Sequence, residues 1–288
     1  MDWLTDPWQF EFMRRALLAG VFVAVAGSVV GAFVVLKGLA FLGDAVAHTS
    51  LAGAAVAFLA GGGVAVISLG AAVAAVLTAV GVSTLSRRTS LSFDTATGVF
   101  FVGLFALGVL LMSRTRNYAL DLNSFLVGII LGVPTADLIV MGLITAFILV
   151  VVIYFYAELQ FVAYDPEMAA ASGVPVLLVQ TALLTLVALA AVVAFRMVGV
   201  LLAMAMLVAP AATATLLVHR LSWIMALATA IGIAAVVVGL YISFHFDVAT
   251  GPSIALTAVT FFAIAFVLSP RGLGPVWARR DASASHRH

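Results

Sequence analysis

The sequence has no cysteine, so disulfides and thiolate metal ligands are both excluded, and any metal site must be built from oxygen and imidazole. Charge is also scarce: 9% of the 288 residues are Asp, Glu, Lys or Arg, against about 25% in an ordinary soluble domain. Lysine occurs once, as Lys37 after Val35 and Leu36. No Gly-rich phosphate loop ending in Gly-Lys-Ser/Thr is therefore present, and the chain is not its own conventional P-loop ATPase. The absence of an H-E-x-x-H pair argues against an intramembrane zinc protease of that type. A formal net charge of +1 with no basic stripe sets nucleic acid aside as a partner. The first twenty residues, MDWLTDPWQFEFMRRALLAG, lack the basic start and small-residue cleavage site of a signal peptide.

What is present is apolar sequence, 65% of the chain. Runs near or above the ~20 residues that cross a hydrocarbon core recur along it, which predicts an all-α, polytopic membrane bundle of about eight to ten spans. With Gly, Pro and charge as punctuation, the spans fall near 16–36, 41–61, 64–82, 94–113, 137–157, 176–195, 198–218, 222–243 and 250–269. A further stretch, 121–133, is short for a crossing, and Lys/Arg counts do not decide on which side the N-terminus lies. Trp3, Trp8 and Phe10 suit a membrane surface. Arg271, Arg279, Arg280 and Arg287 cluster after the last span and mark that end as cytoplasmic, and counting four crossings back places the 158–175 loop there too. Residues 1–275 read as one membrane domain and 276–288 as a disordered cytoplasmic tail. Gly27, Gly31, Gly53, Gly98, Gly103 and Gly108 lie inside spans, where small residues let helices pack closely in lipid.

The most informative stretch is GLAFLGDAVAHTSLAGAAVAF, residues 38–58. Asp44 and His48 are four apart, which puts both on one helix face within reach of a shared ion. A carboxylate at a bilayer centre costs roughly 2.5–3.5 kcal/mol on insertion scales, and a bound cation would offset that. The bland alternative has Asp44 capping the helix after Gly43 while His48 bonds a neighbouring helix. A second polar pair, His245 and Asp247, precedes Thr250, Gly251 and Pro252. Two apart, these share no helix face, so joint coordination needs an unwound backbone; otherwise they are wet groups at a helix end. Asp94 and Asp121 read as N-caps.

In AYDPEMAAASGVPV, residues 163–176, a short helix is bounded at both ends. Asp165 is the N-cap, Pro166 the first helical residue, Glu167 an acid at the positive helix end, Met168 lies within it, Gly173 suits the C-terminal cap and Pro175 stops continuation. Too short and polar to cross a membrane, it reads as a docking surface or a structured loop. Arg196 is placed at the end of its span, snorkelling to an interface. Met204 and Met206, two apart, point in different directions and read as packing rather than a copper(I) site.

Six blocks in order give the chain a resemblance to a known family. They are the F-x-G-D-A-x-x-H block at Phe41 to His48, FDTATGVFFVGLFALGVLLMS at 93–113, DLNSFLVGIILGV at 121–133, YDPEMAAASGVP at 164–175, VGVLLAMAMLVAPAATA at 198–214 and DVATGPSIAL at 247–256. Over roughly residues 12–270 the sequence resembles the ABC-type permeases for manganese, zinc and sometimes iron. That resemblance implies the transmembrane subunit of an importer in a bacterial or archaeal cytoplasmic membrane. It also implies a second copy of the chain, two ABC ATPase subunits that hydrolyse ATP on separate chains, and an extracytoplasmic metal-binding protein. Asp44 and His48 match the family's metal-contact residues, and 165–173 matches its coupling helix. The permease itself would then be no enzyme and hold no permanent cofactor, its cargo being Mn2+, Zn2+ or Fe2+. An oxygen-rich site leans to manganese. Arg196 stands where the family more usually carries a neutral polar residue.

Two other classes compete. A proton-coupled secondary metal transporter would use Asp44 and His48 without an ATPase, but the bounded 165–173 helix and the lack of other carboxylates deep in the spans argue against it. A membrane-embedded enzyme would need a further catalytic group facing that pair, and the spans offer few.

Overall fold

The computed structural model describes residues 9–113 and 133–269, and the side chains of all of these except 64, 65 and 195–202. Ten helices account for the regular structure of the described residues. They are α1 Glu11–Lys37, α2 Ala40–Leu59, α3 Val64–Arg88, α4 Phe93–Met112 and α5 Thr135–Tyr154. Then follow α6 Tyr156–Tyr164, α7 Pro166–Ala171, α8 Val176–Leu217, α9 Leu221–Phe246 and α10 Thr250–Leu268. Among the described residues, eight stretches are long and apolar enough to span a membrane. Exposed Leu69, Leu143 and Ile153, each more than 60% accessible, suit lipid rather than water. The chain is a multi-pass membrane protein of all-helical build. The expected 121–133 segment lies outside the described residues but for Val133, as does the tail.

Hydrogen bonds and ring contacts set the directions of the helices. Phe10, just before α1, packs on Phe244 near the end of α9, with 5.8 Å between ring centroids. Further along, Ser28 Oγ donates to the Ala228 carbonyl at 3.0 Å, so α1 and α9 are antiparallel. At the other end of α1, Lys37 Nζ donates to the Val162 carbonyl of α6 at 3.0 Å, and Lys37 lies within the electrostatic reach of Arg87 at the end of α3. We call this end of the bundle the basic face.

Helix α8 is the informative case. The sequence predicts two spans, 176–195 and 198–218, and the structure joins them with no loop, helical residues continuing from Val176 to Leu217. A straight helix of that length would reach about 63 Å, roughly twice a hydrocarbon core. Yet Gln180 accepts a 2.6 Å bond from Arg87 on the basic face, and Val179 and Ala214 share the core cluster that contains Leu39. Val193, Ala194 and Ala203 share the other cluster, with Met13 at the start of α1. The arms Val176–Ala194 and Ala203–Leu217 therefore pass through the bundle in opposite directions and reverse between them.

The same levels settle the parity that charge counting leaves open. Met112 clusters with Leu51 and Ala55, and Val133 belongs to the same core cluster as Met13, so both flanks of 114–132 sit on the side opposite the basic face. At the far end Ser269 Oγ donates to the Leu216 carbonyl, which places the end of α10 on the basic face, opposite the start of α1. The 158–175 loop shares the basic face with that end, as expected.

Close approach of backbones holds the bundle together. Gly53 of α2 and Gly70 of α3 face each other so tightly that a Cβ on either would overlap the other's carbonyl oxygen. Thr78 Oγ1 donates to Thr49 Oγ1 at 2.8 Å in the same buried interface. Gly98 and Gly103 depart from the packing expectation: a Cβ at either would meet nothing within 4 Å.

Candidate metal site and docking helix

Helix α2 starts at Ala40 on the basic face, which puts Asp44 and His48 about 6 and 12 Å further along its axis. Asp44 lies in the second turn and caps nothing; the N-cap is Leu39, without a side-chain bond. By contrast Glu11, Asp94 and Asp137 occupy first turns, where the positive helix end favours an acid. Local capping therefore does not explain Asp44.

His48 Nδ1 is 3.0 Å from the Asp44 carbonyl oxygen and 3.3 Å from its Oδ1. With two oxygens facing that nitrogen, a neutral ring keeps its proton on Nδ1 and presents the lone pair of Nε2, the form that binds a metal. The side chains of His48 and Asp44 remain 19% and 29% exposed, so an ion can approach. Two rings of α4 flank the imidazole: Phe101 and Phe105 each stand edge-to-face to it at 5.3 Å, and they stack on each other at 5.8 Å. Sequence reasoning missed this pair, although two phenylalanines four apart on one helix were in view. No group of three His, Asp or Glu side chains that could hold an ion occurs among the described residues. Asp44 and His48 thus form a pair of candidate ligands and not a complete set.

His245 and Asp247 lie on the face opposite the basic one and do not join that pair. His245 Nδ1 bonds the Tyr241 carbonyl at 3.0 Å and its ring stacks on Tyr241 at 5.9 Å. Asp247 is exposed and takes a left-handed conformation (φ 52°) as the C-cap of α9, its N–H donating to the Ser243 carbonyl. Gly251 and Pro252 are helical, both in the first turn of α10, where proline loses no helix bond. Met206 is fully buried while Met204 lines an open apolar groove of about 360 Å³ with Ala40, Val208 and Phe262, so the two do point apart. The side chain of Arg196 lies outside the described residues. So does Asp121. The cap of α4 is Ser92, whose side chain accepts from the Thr95 N–H, rather than Asp94.

The bounded helix forms as its residues dictate. Asp165 Oδ1 accepts from the Met168 N–H at 2.9 Å, Pro166 opens α7, and Gly173 takes φ +84° so that the Val174 N–H can return to the Ala169 carbonyl. Ala169 is buried against the bundle while Glu167 and Met168 (57% accessible) face outward. This is an exposed, pre-shaped knob on the basic face.

Comparison with known proteins extends these observations. The chain matches the ABC 3 transport family over residues 9–269. It is 38% identical to the manganese transport system membrane protein MntC of Halalkalibacterium halodurans, over 91% of this chain and 89% of that one. It is 35% identical to a probable iron transport system membrane protein of Haemophilus influenzae, over 93% of this chain and 97% of that one. Among solved structures, PsaBC from Streptococcus pneumoniae in complex with Fab superposes with a TM-score of 0.83 at 34% identity, covering 93% and 96% of the two chains.

Proposed function

This chain belongs to the ABC 3 transport family, and from that premise we propose that it is the permease subunit of an importer that carries a divalent transition metal, manganese or iron in preference to zinc, into the cytoplasm. The observation that carries the reading is the Asp44–His48 pair, a carboxylate and an oriented imidazole inside a span and outside any cap. The basic face is the cytoplasmic one: Lys37, Arg87, Arg88 and Arg220 lie on it, against Arg14 and Arg15 at the start of α1. The membrane is then the cytoplasmic membrane of a prokaryote.

Two ligands bind a transition metal poorly, so the shell is completed by a second copy of the chain, by water or by the protein that delivers the ion. Two copies enclosing one pathway would bring two such pairs together and give the complex two docking helices. Residues 165–173 seat in an ATPase subunit, whose closure on ATP drives alternating access; this chain hydrolyses nothing. His245 and Asp247, on the outer face, are at most a transient contact for the incoming ion.

Glu167 is the residue that tests the docking role, because it carries the only charge between Pro166 and Gly173. Glu167→Arg opposes the positive helix end at a local cost of about 0.3–1 kcal/mol, too little to unfold the bundle. The expected variant folds and binds metal yet no longer co-purifies with its ATPase. Unchanged association in Glu167→Arg, and in a variant with a glycine inserted after Met168, would end the docking assignment.

A further inference from the structure

The lone lysine sits where the metal-bearing and docking parts of the chain meet. Lys37 ends α1, and after a two-residue link α2 begins, with Asp44 and His48 in its second and third turns. Gly38 makes that junction tight by adopting φ 67°, with its own N–H returned to the last turn of α1. The lysine does not point to water. Half-buried, it reaches 125 residues along the sequence to donate from Nζ to the carbonyl of Val162 in the last turn of α6.

That carbonyl needs a donor for a reason written in the sequence. In a continuing helix the oxygen of Val162 would accept from the N–H of residue 166, but residue 166 is proline and has none. The Asp165 N–H is already committed to the Phe161 carbonyl. Val162 is 1% exposed, so water is a poor substitute. The residue that opens the docking helix therefore creates the acceptor that Lys37 fills. The ammonium also stands at the C-terminal ends of both α1 and α6, where two negative helix poles favour a cation.

We propose that Lys37 is a coupling strut: it ties the docking helix to the α1–α2 junction, so that a displacement of α7 is transmitted to the helix that carries Asp44 and His48. The inference rests on the docking role assigned to 165–173 and adds the route by which docking reaches the metal site. Lys37 is a positioning residue, not a metal contact. The covalent path from α7 leads into α6 and α8, neither of which carries the pair, so a bridge to α1 and α2 has to be non-covalent.

The test uses the complete complex of permease and ATPase in vesicles, with manganese as the probe, and reads metal moved per ATP hydrolysed. Lys37→Met keeps the apolar stem and removes the charge and donor; Lys37→Arg keeps both. Lys37→Met is expected to assemble and hydrolyse ATP while uptake per ATP falls about tenfold, the scale of one charge-assisted hydrogen bond; Lys37→Arg should restore most of it. Hydrogen exchange on the permease alone gives a second readout: Lys37→Met should speed exchange at amides 163–173 and leave α9 unchanged. Uptake per ATP within twofold of wild type in Lys37→Met, an equal fall in Lys37→Arg, or unaltered exchange at 163–173 would each overturn the strut. Run alongside, Glu167→Arg separates the two claims. Coupling kept in Glu167→Arg sinks the docking reading, whereas coupling lost there and kept in Lys37→Met sinks the strut alone.

Discussion

His48→Ala is expected to reduce manganese uptake to the level of empty vesicles while leaving folding and ATPase association intact. The imidazole is partly exposed, so its removal opens no sealed cavity, and Nε2 is the one neutral nitrogen the pair offers to an ion. Asp44→Asn refines the result, because asparagine retains an oxygen that can accept from Nδ1 but loses the charge. If Asp44 acts only by holding the imidazole, that bond survives in Asp44→Asn and uptake should stay within about tenfold of wild type. If its carboxylate also touches the ion, Asp44→Asn should be as inactive as His48→Ala. Full uptake in both single variants would remove the site.

Gly53→Leu should abolish recovery of folded protein, whereas Gly103→Leu should leave it near wild type. Both glycines sit mid-span and look alike in sequence, but they differ in what surrounds them. A side chain at Gly53 runs into the carbonyl of Gly70 and, at 2.7 Å, the methyl of Ala74, and backbone cannot rotate out of the way. α2 and α3 would have to separate, breaking the buried Thr78–Thr49 hydrogen bond and well over the 1–3 kcal/mol of ordinary overpacking. At Gly103 the new side chain enters open space on an exposed flank of α4 and gains about 1 kcal/mol in helix propensity. Detergent-extracted yield and melting temperature of the two variants provide the comparison, and equal behaviour would contradict the α2–α3 contact.

That contrast marks where sequence stops being sufficient. Hydropathy predicts the spans to within a few residues at most ends, because each apolar run must find either lipid or another helix. The i, i+4 spacing of Asp44 and His48 and the caps around 166–171 are local signals, and local signals survive folding. Which glycines meet a partner is a property of two helices at once, and nothing in the sequence separates Gly53 from Gly103. The acceptor for Lys37 is equally remote: Pro166 announces that a carbonyl is orphaned, but not which donor 125 residues away reaches it. Ser92 took the cap assigned to Asp94 for a local reason, its extended backbone (ψ 155°) placing its oxygen over the Thr95 amide. The reversal inside α8 shows in the hydropathy as the break between the predicted spans 176–195 and 198–218.

The central claim is that this chain carries a divalent transition metal when an ATPase drives it, with Asp44 and His48 in the path. Purified permease and its ATPase, reconstituted with the delivering binding protein in sealed vesicles, measure that directly. The account predicts manganese accumulation that requires ATP, persists when the proton gradient is collapsed, and disappears in His48→Ala. Manganese accumulation without ATP that collapses with the proton gradient would contradict it and favour a proton-coupled carrier.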